Sequence, residues 1–238
     1  MKKTKKFISL FITICLLMTF VPMQMAYADS AFSGGNGTMD DPYLITSAND
    51  FKQLATEVNG GNNYSNTYFK IPETVTETIE LSTDDGYVPI GNDTNQFEGT
   101  FDGGNHTINL NLTGERLVGL FGEGGENSNL CNIRTTGSVS MTGYYAGGIV
   151  ANMYGNVVNC HNEASVTGYY HVGGIVGISD NSKYIINCSN SGAIVGNMNV
   201  GGIVGNISTL KVINCLNTGT VQGSSCGGIA GYSGLYSK

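Results

Sequence analysis

The feature that most constrains the fold is an internal repeat in the second half of the chain. A Gly-Gly-Ile phrase, followed by Asn-Cys and then by a further Asn, recurs in successive copies between residues 117 and 232, with a weaker copy at the start and an unfinished one at the end. The second glycine of each pair falls at Gly148, Gly174, Gly202 and Gly228, in steps of 26, 28 and 26 residues. A fixed period of this length is typical of a solenoid, in which each copy forms one coil.

Short stretches within each copy alternate between apolar and polar residues, as Ile186 and Cys188 do around Asn187. This period of two is typical of β-strands. Gly and Asn separate three such stretches in each copy, which leaves no room for a helix of about ten residues. The sequence therefore predicts an all-β fold, a right-handed parallel β-helix (β-solenoid) with three sheet faces and coils of about 27 residues. The handedness follows the preference of parallel crossover connections.

The repeated phrase, Gly-Gly-Ile-Val-Gly followed by Ile-Asn-Cys-x-Asn-x-Gly, resembles the GLUG repeat of bacterial surface proteins. The resemblance covers roughly half of the chain, and its cleanest copy begins at Gly201. It implies a secreted or surface-displayed β-helix, as in adhesin-like proteins and beside the catalytic domain of some IgA-specific metallopeptidases. It implies no activity for individual residues.

The first 28 residues are typical of a secretory signal peptide. Four lysines precede an apolar run from Phe7 to Val21, and Ala26-Tyr27-Ala28 forms a cleavage site. A membrane anchor is the alternative, but the apolar run is shorter than a spanning helix needs. We therefore expect a secreted or cell-surface chain that begins at Asp29, with no membrane insertion after cleavage.

Three further segments follow the signal peptide. Residues 29–63 contain a predicted capping α-helix, in which Ser47 and Asp50 form a capping box. The helix places its apolar side chains on one face, which is expected to cover the open end of the first coil; they are Ala48, Phe51, Leu54, Ala55 and Val58. Residues 64–116 are predicted to form irregular first coils, and residues 117–238 the repeat coils.

The last repeat copy stops after Gly227-Gly228-Ile229-Ala230-Gly231-Tyr232, before the strands that complete the earlier coils. An open coil presents unpaired backbone groups and apolar side chains. This pattern predicts the front part of a longer surface protein, or a truncated product of one. It also predicts self-association through the uncapped C-terminal coil.

The net charge of the chain and the catalytic motifs that it lacks argue against several classes of function. Residues 29–238 hold 18 acidic and 7 basic residues, a net charge of −11 without a basic cluster, which argues against nucleic acid as a partner. The sequence has no His-Glu-x-x-His zinc motif, no Gly-x-Ser-x-Gly elbow and no phosphate loop. Beyond residue 126 only Glu163 and Asp180 are acidic, so the regular coils lack the acid cluster of a polysaccharide lyase. We expect no enzyme activity, no cofactor and no metal.

Two columns of recurring residues are predicted to be structural ladders. Cys160, Cys188 and Cys215 stand where the preceding copy has Ile133, which indicates free, buried thiols rather than disulfides or a metal site. Stacked asparagines can bond to one another along the solenoid axis, and the predicted members of this second ladder, at a turn, are Asn162, Asn190 and Asn217. Asp102, before a Gly-Gly turn, is expected to bond the backbone of that turn rather than to act as a catalytic acid.

A candidate ligand-binding surface lies before each Gly-Gly pair. Aligned on the glycines, Tyr144 stacks over Tyr170 and Tyr145 over His171, with Tyr169 beside them. Exposed rings there would form a platform for a host glycan or an extracellular protein, and the alternative is aromatic packing within the turns. We therefore predict a non-catalytic secreted or cell-surface β-helix module for adhesion or surface display. The alternatives are a polysaccharide-acting β-helix enzyme and a spacer module of a larger surface protease.

Overall fold

The computed structural model describes residues 32–179, 183–208 and 211–234. The predicted signal peptide at residues 1–28 lies outside these described residues. The described chain is a parallel β-solenoid with a single helix, α1 (Ala48–Asn59), near its N-terminal end. Every strand pair in it is parallel, and one seven-stranded sheet receives a strand from each of seven successive coils.

Four sheets form the sides of the solenoid. Sheet 1 has seven strands: β1 (Tyr43–Leu44), β2 (Tyr68–Lys70), β4 (Thr100–Asp102), β7 (Asn129–Cys131), β11 (Asn156–Val158), β16 (Tyr184–Ile186) and β21 (Lys211–Ile213). Sheet 2 has nine: β3 (Ile79–Ser82), β5 (Thr107–Gly114), β8 (Arg134–Met141), β12 (His161–Asn162), β13 (Ser165–Thr167), β17 (Ser189–Asn190), β18 (Ile194–Val195), β22 (Leu216–Asn217) and β23 (Val221–Gln222). Sheet 3 has four: β9 (Ala146–Gly147), β14 (Tyr170–Gly173), β19 (Met198–Gly201) and β24 (Cys226–Gly227). Sheet 4 has five: β6 (Phe121–Gly124), β10 (Val150–Met153), β15 (Val176–Ser179), β20 (Val204–Ile207) and β25 (Ala230–Ser233).

The fourth sheet corrects the prediction of three faces. Each Gly-Gly-Ile phrase is a bend that divides one expected face into sheets 3 and 4. The bend is tight: a Cβ built on Gly173 would lie 1.9 Å from the carbonyl oxygen of Val176. Only glycine fits where the backbone approaches itself so closely, which explains why the first glycine of the pair recurs.

A second correction concerns the Ile-Asn-Cys phrase, which is not one alternating strand. Asn187 has a φ of 54°, and the equivalent Asn159 has a φ of 55°. A left-handed residue turns the chain from sheet 1 to sheet 2 and breaks the alternation. The buried residue of β16 is therefore Ile185, whereas Ile186 is only partly buried and Cys188 points inward from the next side.

The N-terminal end of the solenoid is closed as the sequence predicts. The Ser47 hydroxyl accepts a hydrogen bond from the backbone N–H of Asp50, and the Asp50 carboxylate accepts one from the backbone N–H of Ser47. Phe51 and Leu54 of α1 are fully buried, and the Phe51 ring lies 5.5 Å from that of Phe101. Backbone bonds from Leu44 to Gly34 and from Ser33 to Leu44 cover the free edge of β1. Among the described residues, these contacts cover the outer edge of β1 at this end of sheet 1.

Candidate ligand-binding site

The candidate site is the group of rings that precede the Gly-Gly bends in two neighbouring coils. We call it the tyrosine patch: Tyr144, Tyr145, Tyr169, Tyr170 and His171. The register of β9 against β14 pairs Ala146 with Val172, so the two coils present equivalent side chains one above the other. Strands in neighbouring coils lie about 4.8 Å apart, a spacing that suits stacked rings.

Local backbone geometry turns two successive side chains of the patch outward. In a regular strand Tyr170 and His171 would point to opposite faces. His171 has a φ of 50°, and Asn199, the equivalent residue of the next coil, has a φ of 56°. This left-handed step lets Tyr170 and His171 both remain only partly buried, while Val172 fills the interior at 0% exposure.

The rings of the patch pack on one another. Tyr144 and Tyr170 are stacked, with centroids 5.8 Å apart and planes inclined by 14°. Tyr145 and His171 lie 5.3 Å apart, and Tyr169 meets Tyr170 edge-on at 4.6 Å. Such pairs stabilise one another by about 0.5–1.5 kcal/mol beyond their burial. The predicted stacking is therefore present in the structure, and the rings hold one another in fixed orientations.

The patch remains open to solvent despite this packing. Tyr144 is 55% exposed and Tyr169 is 47% exposed. Met198, which pairs in register with Tyr170, extends the column into a third coil and is 43% exposed. The sequence stretches 142–147, 168–173 and 196–201 contain no Asp, Glu, Lys or Arg. An uncharged aromatic surface of this kind suits a neutral ligand better than an anionic one.

The two predicted ladders lie inside the solenoid rather than at a site that a ligand could reach. Cys160 and Cys188 are each 1% exposed, Cys215 is partly buried, and all are free thiols. Hydrogen bonding with the Cys160 thiol, together with burial, raises the pKa of Cys188. Hydrogen bonding with Cys188 and burial likewise raise the pKa of Cys215. The raised pKa values keep both groups as thiols at neutral pH, which makes them poor nucleophiles and poor metal ligands.

Two substitutions of Cys188 distinguish the effect of its packing on stability from the effect of its polarity. We expect Cys188→Ser to lower the free energy of unfolding by about 1–3 kcal/mol, because a hydroxyl on a shorter bond replaces a thiol in the core. Cys188→Val should cost less than about 1 kcal/mol, since a β-branched residue suits an inward strand position. Urea denaturation of the three proteins measures the difference. Equal losses in both variants, with a native disulfide detected by mass spectrometry, would refute the buried-thiol assignment.

The asparagine ladder is continuous along the axis. The Thr135 hydroxyl donates to Asn162 Oδ1 at 2.9 Å, Asn162 Nδ2 donates to Asn190 Oδ1 at 2.7 Å, and Asn190 Nδ2 donates to Asn217 Oδ1 at 2.8 Å. Asn162 is 0% exposed and Asn190 is 1% exposed, so these two side chains are buried in the core where short strands end. Hydrogen bonds from Asn162 Nδ2 and Asn190 Nδ2 to the backbone two residues on satisfy the remaining polar atoms.

The ladder explains the second glycine of each Gly-Gly pair, a relation that the sequence analysis missed. A Cβ on Gly148 would lie 2.3 Å from Asn162 Oδ1, and a Cβ on Gly174 would lie 2.5 Å from Asn190 Cγ. Each buried carboxamide therefore occupies the space that a side chain on the opposite glycine would need. The signal available in the sequence is that both columns recur together in every complete copy.

Asp102 has the structural role predicted for it. Its Oδ1 accepts a hydrogen bond from the backbone N–H of Gly104 at 3.0 Å and another from Asn132 Nδ2 at 2.9 Å. Asn159 Nδ2 continues this outer row to Asn132 Oδ1, and Asn187 Nδ2 continues it to Asn159 Oδ1. Sequence reasoning missed this second row of asparagines, since it placed these residues inside strands.

A polar cluster on sheet 2 was also missed. Arg134, His161 and Ser189 are in register on three successive coils. His161 Nδ1 lies 2.6 Å from Ser189 Oγ, and His161 Nε2 lies 3.2 Å from a Glu163 carboxylate oxygen, which Arg134 approaches to 3.5 Å. Together with Asn105, Arg134, His161 and Ser189 line a shallow polar cavity. Within the described residues, no group of three or more His, Cys, Asp and Glu side chains is arranged to hold a metal ion.

Curated proteins that are similar to this chain include a membrane protein and a halomucin. No protein-family profile matches the chain. A protein of Evansella cellulosilytica named Gly-rich membrane protein is 32% identical over 165 residues, which cover 66% of this chain and 18% of that protein. Halomucin of Haloquadratum walsbyi is 36% identical over 155 residues, 61% of this chain and 2% of that protein. The chain thus spans only a small part of these curated relatives.

A solved structure shares the fold. A Bacteroides ovatus protein whose crystal structure bears the name immunoglobulin A1 protease superposes with a TM-score of 0.56 at 19% sequence identity. The match covers 81% of this chain and 80% of that one. At this identity the likeness establishes a common fold and nothing about activity. Separately, no helix among the described residues is long and apolar enough to span a membrane.

Proposed function

We propose that the chain is a non-catalytic, secreted or cell-surface β-solenoid module of the GLUG-repeat type, and that it binds an extracellular protein through the tyrosine patch. The observation that carries the proposal is a cluster of five mutually packed rings, two of them about half exposed, on one side of a rigid rod. Burying exposed tyrosine is a common source of binding energy, because the side chain is large, rigid and amphipathic. The predicted signal peptide and the name of the Evansella relative support a location outside the cell or at its surface.

A protein fits the patch better than a glycan does. The faces of Tyr144 and Tyr170 stack on each other, so the patch offers mainly ring edges and hydroxyls rather than a free platform for a sugar ring. Exposed Met198 in the next coil adds an aliphatic surface beside the rings. Aromatic residues and Met are enriched in the cores of protein interfaces. The absence of Lys and Arg from these sequence stretches argues against sulfated or sialylated ligands.

The proposal is tested by measuring how strongly a double tyrosine variant binds. The protein beginning at Asp29 is screened against immobilised extracellular proteins and neutral glycans, and the double variant Tyr144→Ala, Tyr170→Ala is compared on each hit. We expect the double variant to bind at least about 30-fold more weakly, since a truncated hot-spot residue commonly costs 2 kcal/mol or more. Its melting temperature should fall by several degrees, because the variant loses the ring contacts of Tyr144 with Tyr145 and of Tyr170 with Tyr169 and His171 as well as the stacked pair. Circular dichroism at the assay temperature checks that the variant is folded when its binding is measured.

Tyr184→Ala is the matched control. Tyr184 is 38% exposed and lies on sheet 1, outside the patch, beneath the Lys211 ammonium. This variant should bind normally. Equal weakening by Tyr184→Ala, or unchanged binding by the double variant, would place the interaction elsewhere. Hits confined to neutral glycans would assign the patch to sugars instead.

A further inference from the structure

A groove lies on the outer side of sheet 1, whereas the tyrosine patch borders sheet 3. Phe69 and Phe101 point into the core, so their neighbours along β2 and β4 point outward. The register of β1, β2, β4 and β7 arranges the floor of the groove in two columns. One column consists of Leu44, Lys70, Asp102 and Cys131, and the other of Tyr68 and Thr100.

Two short segments form the walls of the groove. Residues 36–41, which precede β1 and include Met39 and Asp40, form a loop in which two backbone N–H groups donate to one carbonyl. Residues 72–75, which follow β2 and include Glu73, form a turn closed by a backbone hydrogen bond of 3.0 Å. Because the strands are parallel, the loop and the turn stand at opposite ends of the floor. The cavity between them has a volume of about 610 Å³, a size that is common for ligand sites.

The groove is mainly apolar but carries uncompensated negative charge. Met39 at its rim is 74% exposed, an unusual position for a large apolar side chain. Three carboxylates and one ammonium group also line the groove, which gives a formal net charge of −2; they belong to Asp40, Glu73, Asp102 and Lys70. None of these four groups takes part in an ion pair of the described residues. The groove therefore lacks the cation that would balance its carboxylates.

Asp102 is held in place but keeps one oxygen available. Both hydrogen bonds that its side chain accepts, from the Gly104 backbone and from Asn132 Nδ2, reach Oδ1. Across residues 32–179, 183–208 and 211–234, no hydrogen bond reaches Oδ2. Burial and the nearby Asp102 charge raise the pKa of Cys131 to about 11, so this thiol is neutral at pH 7. Asp102 thus presents a fixed carboxylate beside a neutral neighbour.

We propose that the groove binds an extended peptide segment of a partner protein, with an arginine between apolar residues. A guanidinium group pairs well with a carboxylate such as that of Asp102, and it stacks readily on an aromatic ring such as that of Tyr68. Apolar residues beside the arginine would contact Met39 and Leu44. Residues 29–126 hold 16 acidic and 3 basic residues, so the wider electrostatic field also attracts a cation and repels an acidic partner.

Peptide binding to the protein beginning at Asp29 tests the proposal. The probe is a five-residue peptide with blocked ends, in which one arginine is flanked on each side by proline and leucine. Two comparison peptides carry glutamine or glutamate instead of the arginine. Titrations followed by backbone amide NMR shifts should show the arginine peptide binding at least about tenfold more tightly than the glutamine peptide, and the glutamate peptide most weakly. The shifts should centre on Lys70, Thr100 and Asp102, and the preference should shrink as salt rises.

Two substitutions in the groove should have opposite effects. Asp102→Asn removes a charge but keeps an Oδ1 acceptor for the Gly104 backbone, and it should weaken binding of the arginine peptide at least about fivefold. Lys70→Gln removes the positive charge and should strengthen binding about twofold or more. Asp84→Asn is the matched control, because Asp84 is exposed in the loop after β3, outside the groove. It should change binding less than about twofold. Circular dichroism establishes that each variant folds.

Several results would overturn the proposal. These are no binding of the arginine peptide at about 1 mM, equal binding of the arginine and glutamine peptides, tightest binding of the glutamate peptide, or full binding by Asp102→Asn. Shift changes confined to the tyrosine patch would overturn it too. The double variant Tyr144→Ala, Tyr170→Ala should bind the arginine peptide normally, so a failure of the groove and a failure of the tyrosine patch are observed separately.

Discussion

Gly174→Ala is expected to lower the free energy of unfolding by at least about 3 kcal/mol, whereas Gly228→Ala should leave it unchanged or raise it by up to about 1 kcal/mol. The two glycines occupy the same position of the repeat. A Cβ on Gly174 would lie 2.2 Å from the carbonyl oxygen of Gly202 in the next coil and 2.5 Å from Asn190 Cγ. A Cβ on Gly228 has nothing within 4 Å.

Gly174→Ala lowers the stability because the backbone carbonyl of Gly202 and the buried amide of Asn190 must both move. Neither the Gly202 carbonyl nor the Asn190 side chain is a flexible end that can swing away, so the coils have to separate and lose hydrogen bonds between them. At Gly228 alanine only reduces the entropy of the unfolded chain.

Chemical denaturation of both variants measures the contrast. Gly202→Ala serves as a further check, since its Cβ would lie 2.1 Å from the Gly228 carbonyl oxygen, and it should resemble Gly174→Ala. A Gly228→Ala variant as unstable as Gly174→Ala would mean that these glycines are required for backbone conformation and not for space between coils.

Asn190→Ala is expected to cost about 2–4 kcal/mol, the second large effect. Asn190 is 1% exposed and lies in the middle of the buried ladder. Its removal leaves the amide of Asn162 and the carbonyl of Asn217 each without one partner, and it opens a cavity opposite Gly174. Unmet hydrogen bonds of buried polar groups cost about 1–3 kcal/mol each, and the cavity adds to this.

Asn187→Gly is the control, three residues earlier in the same coil. Asn187 is exposed, bonds Asn159 Oδ1 at 3.2 Å and has a φ of 54°, which glycine adopts without strain. We expect a change below about 1 kcal/mol, measured by the same denaturation. If both variants lose equal stability, the buried ladder has no special role in holding the coils together.

The sequence predicts the features that depend on period and polarity. The repeat predicts the parallel solenoid, and the Ser47-x-x-Asp50 capping box with its apolar face predicts α1 as the cap. Alignment on the glycines places Tyr144 over Tyr170, because equal register in neighbouring coils requires it.

Features that depend on backbone dihedral angles or on interior contacts escape prediction. The sequence predicts Asn187 to be the polar member of an alternating strand, because polarity does not reveal its positive φ. The sequence predicts that the Asn190 column is a ladder with bonds along the axis, but it does not reveal that these amides are buried. The column can be buried because each amide completes the hydrogen bonds of its neighbours, so that its polar atoms do not need water. The polar cluster around His161 likewise depends on side-chain contacts between coils.

The direction of the bonds between coils has a mechanical consequence. Hydrogen bonds between parallel strands run across the strands, and therefore along the axis of the rod. Tension applied along this axis acts on the bonds of one coil at a time instead of shearing many coils together. The N-terminal end is locked by α1, whose Asn59 side chain accepts a hydrogen bond from the Gly91 backbone and donates one to the Pro89 carbonyl. Under load, each coil of about 27 residues that detaches from the rod would release roughly 90 Å of chain. A module built in this way extends stepwise under tension while the helix-capped end remains folded.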